Sequence, residues 1–277
     1  MDFPYRRPLL ATEHGEFDVG AEALAFALAR RHALPLDAVL PLPSNPEFEA
    51  TAPAQAARAE AQAATSRIAL QQQAAAQGVA LDLRVRRGPD LHAEIVAEAR
   101  ERTSDLIVIR RRGQRGFLAN LLVGEMVSRV IAHAPCSVLV APRAAQLWRA
   151  GVLVGVDPEA PGAGMVAHAA RLAAAGGVPL TLLAVAAREP GLAAAEQSLS
   201  ALLPPARALG VQVRAEVRHG RVADALAAAA RECGADLLVV GRRTGPPVRR
   251  ALIGSNATRL LGAATGPVLV HIENTSP

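Results

Sequence analysis

Short runs of Val, Leu and Ile recur along the chain, separated by longer alanine-rich stretches in which apolar residues return every three or four positions. Runs of this length without polar alternation predict buried strands, and the three-to-four spacing predicts helices with one covered face. In the second half the expected strands are Gly151–Val156, Leu180–Ala186, Val211–Val217, Asp236–Val240 and Val268–Ile272. Helices are expected near Gly164–Ala175, Leu192–Leu209, Val222–Glu232 and Ser255–Leu261. The first half repeats the scheme, with strands near Pro8–Thr12, Ala38–Leu42, Ala80–Val85, Leu106–Arg110 and Ser137–Ala141. Strands that are apolar throughout and alternate with helices imply an α/β architecture: a five-stranded parallel sheet in each half, with helices on both faces. The stretch Pro41 to Gln62, rich in Pro and Ala, reads as a mobile surface loop with a fraying helix, a lid over a ligand being the other reading.

The two halves are copies. Ala99-Arg100-Glu101 with Ser104-Asp105-Leu106-Ile107-Val108-Ile109 returns 131 residues later as Ala230-Arg231-Glu232 with Ala235-Asp236-Leu237-Leu238-Val239-Val240. Val138-Leu139-Val140 returns as Val268-Leu269-Val270 after 130 residues, so the first half carries one extra residue between these strands. A fixed offset of this kind marks a duplicated unit. The expected domains are residues 1–142 and 150–277, with Arg143 to Arg149 as linker.

Composition narrows the function classes. The chain of 277 residues is 51% hydrophobic but only 3% aromatic, and all of its 30 basic residues are Arg. The net charge of +5 is spread among Asp and Glu, and few rings are available for base stacking, which argues against nucleic acid. Cys136 and Cys233 make no CxxC pair and sit in apolar segments, as suits a reducing cytoplasm. The longest uncharged stretch, about Leu172 to Ala187, is broken by Gly176-Gly177-Val178-Pro179, so no membrane span is expected. His14, His92, His168 and His219 read as surface or core residues, and no catalytic or metal-binding constellation emerges.

Ligands of open parallel sheets bind beyond the carboxyl ends of the strands. In the second half Asp157 ends the first strand, Val185 lies at the end of the second, Gly241-Arg242-Arg243-Thr244-Gly245 follows the fourth, and Gly254-Ser255-Asn256 opens the last helix. Bare backbone at glycine and free N–H groups at a helix start suit a phosphate. Taken singly, Ser255 could equally cap its helix, Gly241 could permit a turn, and Asp157 before Pro158 could be a turn residue.

Gly241, two residues, Thr244, nine residues, Gly254 and Ser255 resemble the ATP signature of the universal stress proteins, with Thr244 standing where that family has a second glycine. The resemblance covers both halves. It implies a Rossmann-like fold of the adenine-nucleotide-binding kind and, as ligand, ATP or a related adenine nucleotide, with or without Mg²⁺. It assigns Asp157 to the ribose and Val185 to the adenine, and Gly241, Thr244, Gly254, Ser255 and Asn256 to the phosphates. It further implies a cytoplasmic stress-response protein that binds nucleotide, hydrolysis being at most slow. A nucleotide-independent scaffold or signalling protein with a protein partner is the alternative. An enzyme of the wider fold, with its own substrate, is a third.

The first half departs from the signature. Arg110 stands at the position of Gly241, Glu13 replaces Asp157, and Gly124-Glu125 puts a carboxylate at the helix start. This half reads as a degenerate copy. Single-domain relatives generally pair through their final strands. Cys136–Val140 and Pro267–His271 are therefore expected to pair antiparallel as an internal pseudo-dimer.

Overall fold

The computed structural model describes residues 3–111, 125–160, 162–186, 191–242 and 255–273, without the side chains of residues 48 and 255–257. These form two compact units, residues 5–111 with 125–146, and residues 147–273 with residues 3–4.

The first unit runs through strand Pro8–Ala11 (β1), helix Val19–His32 (α1), strand Leu36–Pro43 (β2), helices Pro46–Thr51 (α2) and Pro53–Ala76 (α3), and strand Leu81–Gly88 (β3). Helix Leu91–Glu101 (α4), strand Leu106–Arg110 (β4), helix Glu125–His133 (α5) and strand Ser137–Ala141 (β5) complete it. Its strands are all parallel, in the order β3-β2-β1-β4-β5. α1 shows why these sequences make helices against a sheet: Ala21, Leu24, Ala25, Leu28 and Ala29 fall on one face and are buried. The helix lies so close to the chain leaving β5 that a Cβ on Gly20 would stand 2.0 Å from the carbonyl oxygen of Pro142, so only glycine fits there.

The second unit repeats the order: strand Val152–Val156 (β6), helix Ala163–Gly176 (α6), strand Leu180–Ala186 (β7), helix Leu192–Arg207 (α7), strand Val213–His219 (β8) and helix Val222–Cys233 (α8). Strand Leu237–Gly241 (β9), helix Ser255–Ala263 (α9) and strand Val268–His271 (β10) follow. Its parallel order is β8-β7-β6-β9-β10. In both units the chain moves outward from the first strand, then returns to its other side. Each unit's sheet therefore has a switch point, between β1 and β4 in the first and between β6 and β9 in the second.

The stretch Pro41 to Gln62 is mostly ordered as regular structure: Pro41–Pro43 close β2, and α2 and the first turns of α3 take up most of the rest. Pro46 and Pro53 each occupy the first position of a helix, where the missing N–H costs nothing. Arg87 then ties α3 down with two bonds to Glu60, of 2.6 and 2.7 Å. The expected linker is anchored at its end, where Trp148 is buried, stacks on Phe3 and reaches the Leu172 carbonyl at 3.5 Å. Cys136 is buried as expected, but Cys233 ends α8 exposed. Among the described residues no helix is long and apolar enough to cross a membrane.

Candidate functional site

Strand register sets the correspondence between the halves. Pro8 pairs with Leu106 as Val152 pairs with Leu237, which aligns Glu13 with Asp157, Asp18 with Gly162, Pro41 with Val185 and Arg110 with Gly241.

At the first unit's switch point β4 ends on a charged residue after four apolar ones, and that residue is buried: Arg110 is only 4% exposed. Its Nη1 donates to Asp18 Oδ2 at 2.7 Å and its Nη2 meets Glu13 Oε1 at 2.9 Å. Asp18, at the start of α1, also accepts the Gly15 amide at 2.8 Å. Burial pushes the Asp18 carboxyl above its usual range, and the Arg110 guanidinium pulls it partly back. Beside this pair a second buried carboxylate, Glu22, accepts the Thr12 hydroxyl at 2.6 Å and meets His14 Nδ1 at 3.0 Å. The cavity left among Thr12, Glu13, Asp18, Pro41, Arg110 and Met126 measures about 10 Å³. That is room for one water and not for a ribose. Among the described residues, the crevice of the first half is occupied by its own side chains.

Glu125, the carboxylate at the start of α5, where it would repel a phosphate, is exposed and paired with Arg129 at 2.5 Å. Solvent and that partner weaken its field, and among the described residues Arg110, Asp18 and Glu13 are the charged groups that occupy this switch point.

The second unit has glycine at both places where the first holds its central ion pair. Gly241 ends β9 and Gly162 precedes α6 with a φ of 60°, in the left-handed region. Met165 lies between them: a Cβ on Gly241 would come 3.3 Å from its Sδ, and one on Gly162 would come 3.6 Å from its Cε. The crevice is thus walled by bare backbone and one flexible thioether. Asp157, half-buried beyond β6, accepts the Glu159 amide on Oδ1 at 3.0 Å, so it does serve the turn. A carboxylate with one such bond keeps acceptor capacity for a hydroxyl. The turn is held to α7 by the Ser198 hydroxyl on the Pro158 carbonyl at 3.1 Å. Val185 is buried in β7 at the register of Arg218. Ser255 and Asn256 begin α9, as expected, while Thr244 and Gly254 lie outside the described residues.

The structure therefore brings Asp157 and Gly241 to one switch point, with Val185 on the neighbouring strand. Gly162 and Met165 escape a reading of the sequence. The offset of 144 residues that aligns Glu13 with Asp157 would have found Gly162, since it also aligns the starts of α1 and α6.

A tandem α/β fold with a parallel sheet and a topological switch point in each half defines the class. The model of the universal stress protein family matches residues 4–142 and again 151–271, and the chain belongs to that family. No curated protein matches. Among solved structures, a universal stress protein from Archaeoglobus fulgidus DSM 4304 is 16% identical with a TM-score of 0.77, covering 99% of this chain and 98% of its own. A protein of Pseudomonas aeruginosa UCBPP-PA14 assigned to the same family is 19% identical with a TM-score of 0.72, covering 98% and 94%. A functionally unknown protein of Pseudomonas aeruginosa PAO1 gives 19% and 0.69 over the same shares.

Proposed function

We propose that the second half binds one adenine nucleotide, ATP or a relative, at the carboxyl ends of β6 and β9, and that the first half binds none. The exchange of Arg110 and Asp18 for Gly241 and Gly162 carries this reading, because it sets a buried ion pair at the switch point of the first half and only bare backbone with the flexible Met165 side chain at that of the second. Gly241 and the start of α9 would receive the phosphates, through backbone amides and the positive end of the helix dipole. Asp157 would accept from the ribose hydroxyls. The protein acts in this reading as a cytoplasmic nucleotide-binding member of the stress response, without a substrate to turn over. The first half then has a ligand-independent role, for which its closed crevice speaks.

The test is direct binding of labelled ATP to the purified chain, read as stoichiometry. One site per chain is expected. Ser255→Glu should weaken it about a hundredfold, since a carboxylate about 4 Å from a phosphate costs several kcal/mol before solvent screening is discounted. Unchanged affinity would place the ligand elsewhere. Glu125→Ser should leave the stoichiometry at one, because Arg110 still fills the first crevice. A rise to two sites would assign that closure to Glu125 instead.

A further inference from the structure

The second unit carries a pair of histidines that the nucleotide reading does not use. His271 ends β10 in register with Gly241, so in a parallel sheet both face the same side, the side covered by α6. His168 on α6 lies one helical turn from Met165, the residue that fills the space between Gly241 and Gly162. The two imidazoles stand with centroids 4.9 Å apart. The corresponding residues of the first half are Leu24 and Ala141, neither of which titrates. On this face the first half has a permanent cation, Arg110, neutralised by Asp18 and Glu13. The second half has glycines and two groups able to take a proton.

We infer that His168 and His271 form one wall of the second-half site and take up a proton, shared by the pair, when a phosphate-bearing ligand enters. This rests on the nucleotide reading given above. An anion beside two imidazoles favours their charged form, and by linkage a charged pair favours the anion. Repulsion between two rings so close limits the uptake to one proton. Among the described residues the other charged groups acting on the pair are Arg171 on α6, which opposes protonation of His168, and Glu273 beyond β10, which favours that of His271. Burial lowers the proton affinity of both rings in the free protein, so a ligand anion is what favours the uptake. The site would thereby prefer polyphosphates and bind them more tightly in acid.

The experiment measures ATP affinity from pH 7.5 to 5.5 for the wild type and for His271→Ala, which installs the first-half residue. It also follows the wild-type His168 and His271 ring resonances by NMR with and without ATP. The γ-phosphate of ATP titrates in the same range but contributes equally to both proteins. Wild-type affinity should tighten about tenfold more than that of the variant across this range, well within ordinary coupling between sites. The pH at which one ring titrates should rise when ATP is added. ATP binding with the same pH slope in both proteins and unmoved ring resonances would overturn the inference and leave the nucleotide reading standing. No ATP binding at any pH would overturn both.

Discussion

Arg110→Gly should destabilise the first domain by about 3–5 kcal/mol, because it leaves Asp18 as an uncompensated carboxylate in a site with almost no solvent. Asp18→Gly should cost less, since Arg110 keeps Glu13, which is partly exposed. The double variant, carrying the second half's two glycines, should recover about 2–3 kcal/mol relative to the sum of the single effects, the remaining loss reflecting the lost packing and the entropy of two glycines. The pH dependence has a definite sign. Asp18 is already raised above its unfolded value by burial, and loses in Arg110→Gly the one cation that lowers it. A carboxyl raised in the folded state contributes its stability below the unfolded value and loses it as pH rises through the folded one. The deficit of Arg110→Gly should therefore shrink as pH is lowered toward 4 and grow toward 7. Chemical unfolding of the three variants at several pH values checks this, and purely additive losses independent of pH would show that the pair does not act as a unit.

Most of the fold is legible in the sequence. For Leu106–Arg110, Ser137–Ala141 and Leu180–Ala186 pattern and structure agree to the residue, since a strand buried on both faces of a parallel sheet shows as a nearly continuous apolar run. Pro41–Gln62 misleads because Pro46 and Pro53 read as breakers, whereas at the first position of a helix proline is a start signal. The candidate site is legible only where it lies on strand ends. Asp157, Val185 and Gly241 lie at or just beyond the ends of their strands, so counting along the chain locates them. Asp18, Gly162 and Met165 reach the crevice from the far side of a turn, by the packing of a helix that no local pattern positions. The family motif points to Glu125 for the closure of the first half. Arg110 is the stronger signal: an arginine ending a strand in a fully buried run must bring its counter-charges with it.

The histidine pair makes the second domain acid-sensitive whether or not a ligand is present. Burial, reinforced by the neighbouring His271 and Arg171, lowers His168 from 6.5 to about 3. A histidine lowered on folding keeps the folded state short of a proton that the unfolded chain can bind. Its contribution to stability is complete above pH 6.5 and is lost as pH falls from there toward 3. Each tenfold loss of proton affinity on folding amounts to about 1.4 kcal/mol, so about 2–4 kcal/mol should disappear between pH 6.5 and 4. His271, lowered by burial against the opposing field of Glu273, adds a smaller loss in the same direction. His168→Leu installs the residue that the first half carries as Leu24 in the corresponding place, where it is fully buried. The variant should match or exceed wild-type stability in acid. Because two domains need not unfold together, the quantity to compare is the midpoint of the second domain's transition, followed by hydrogen exchange of β9 and β10 amides in urea at pH 4 to 7. Wild type and His168→Leu should converge above pH 6.5 and separate steadily below it. Parallel curves over the whole range would mean that His168 accepts its proton in the folded protein as readily as in water, and the buried neutral pair would have to be abandoned.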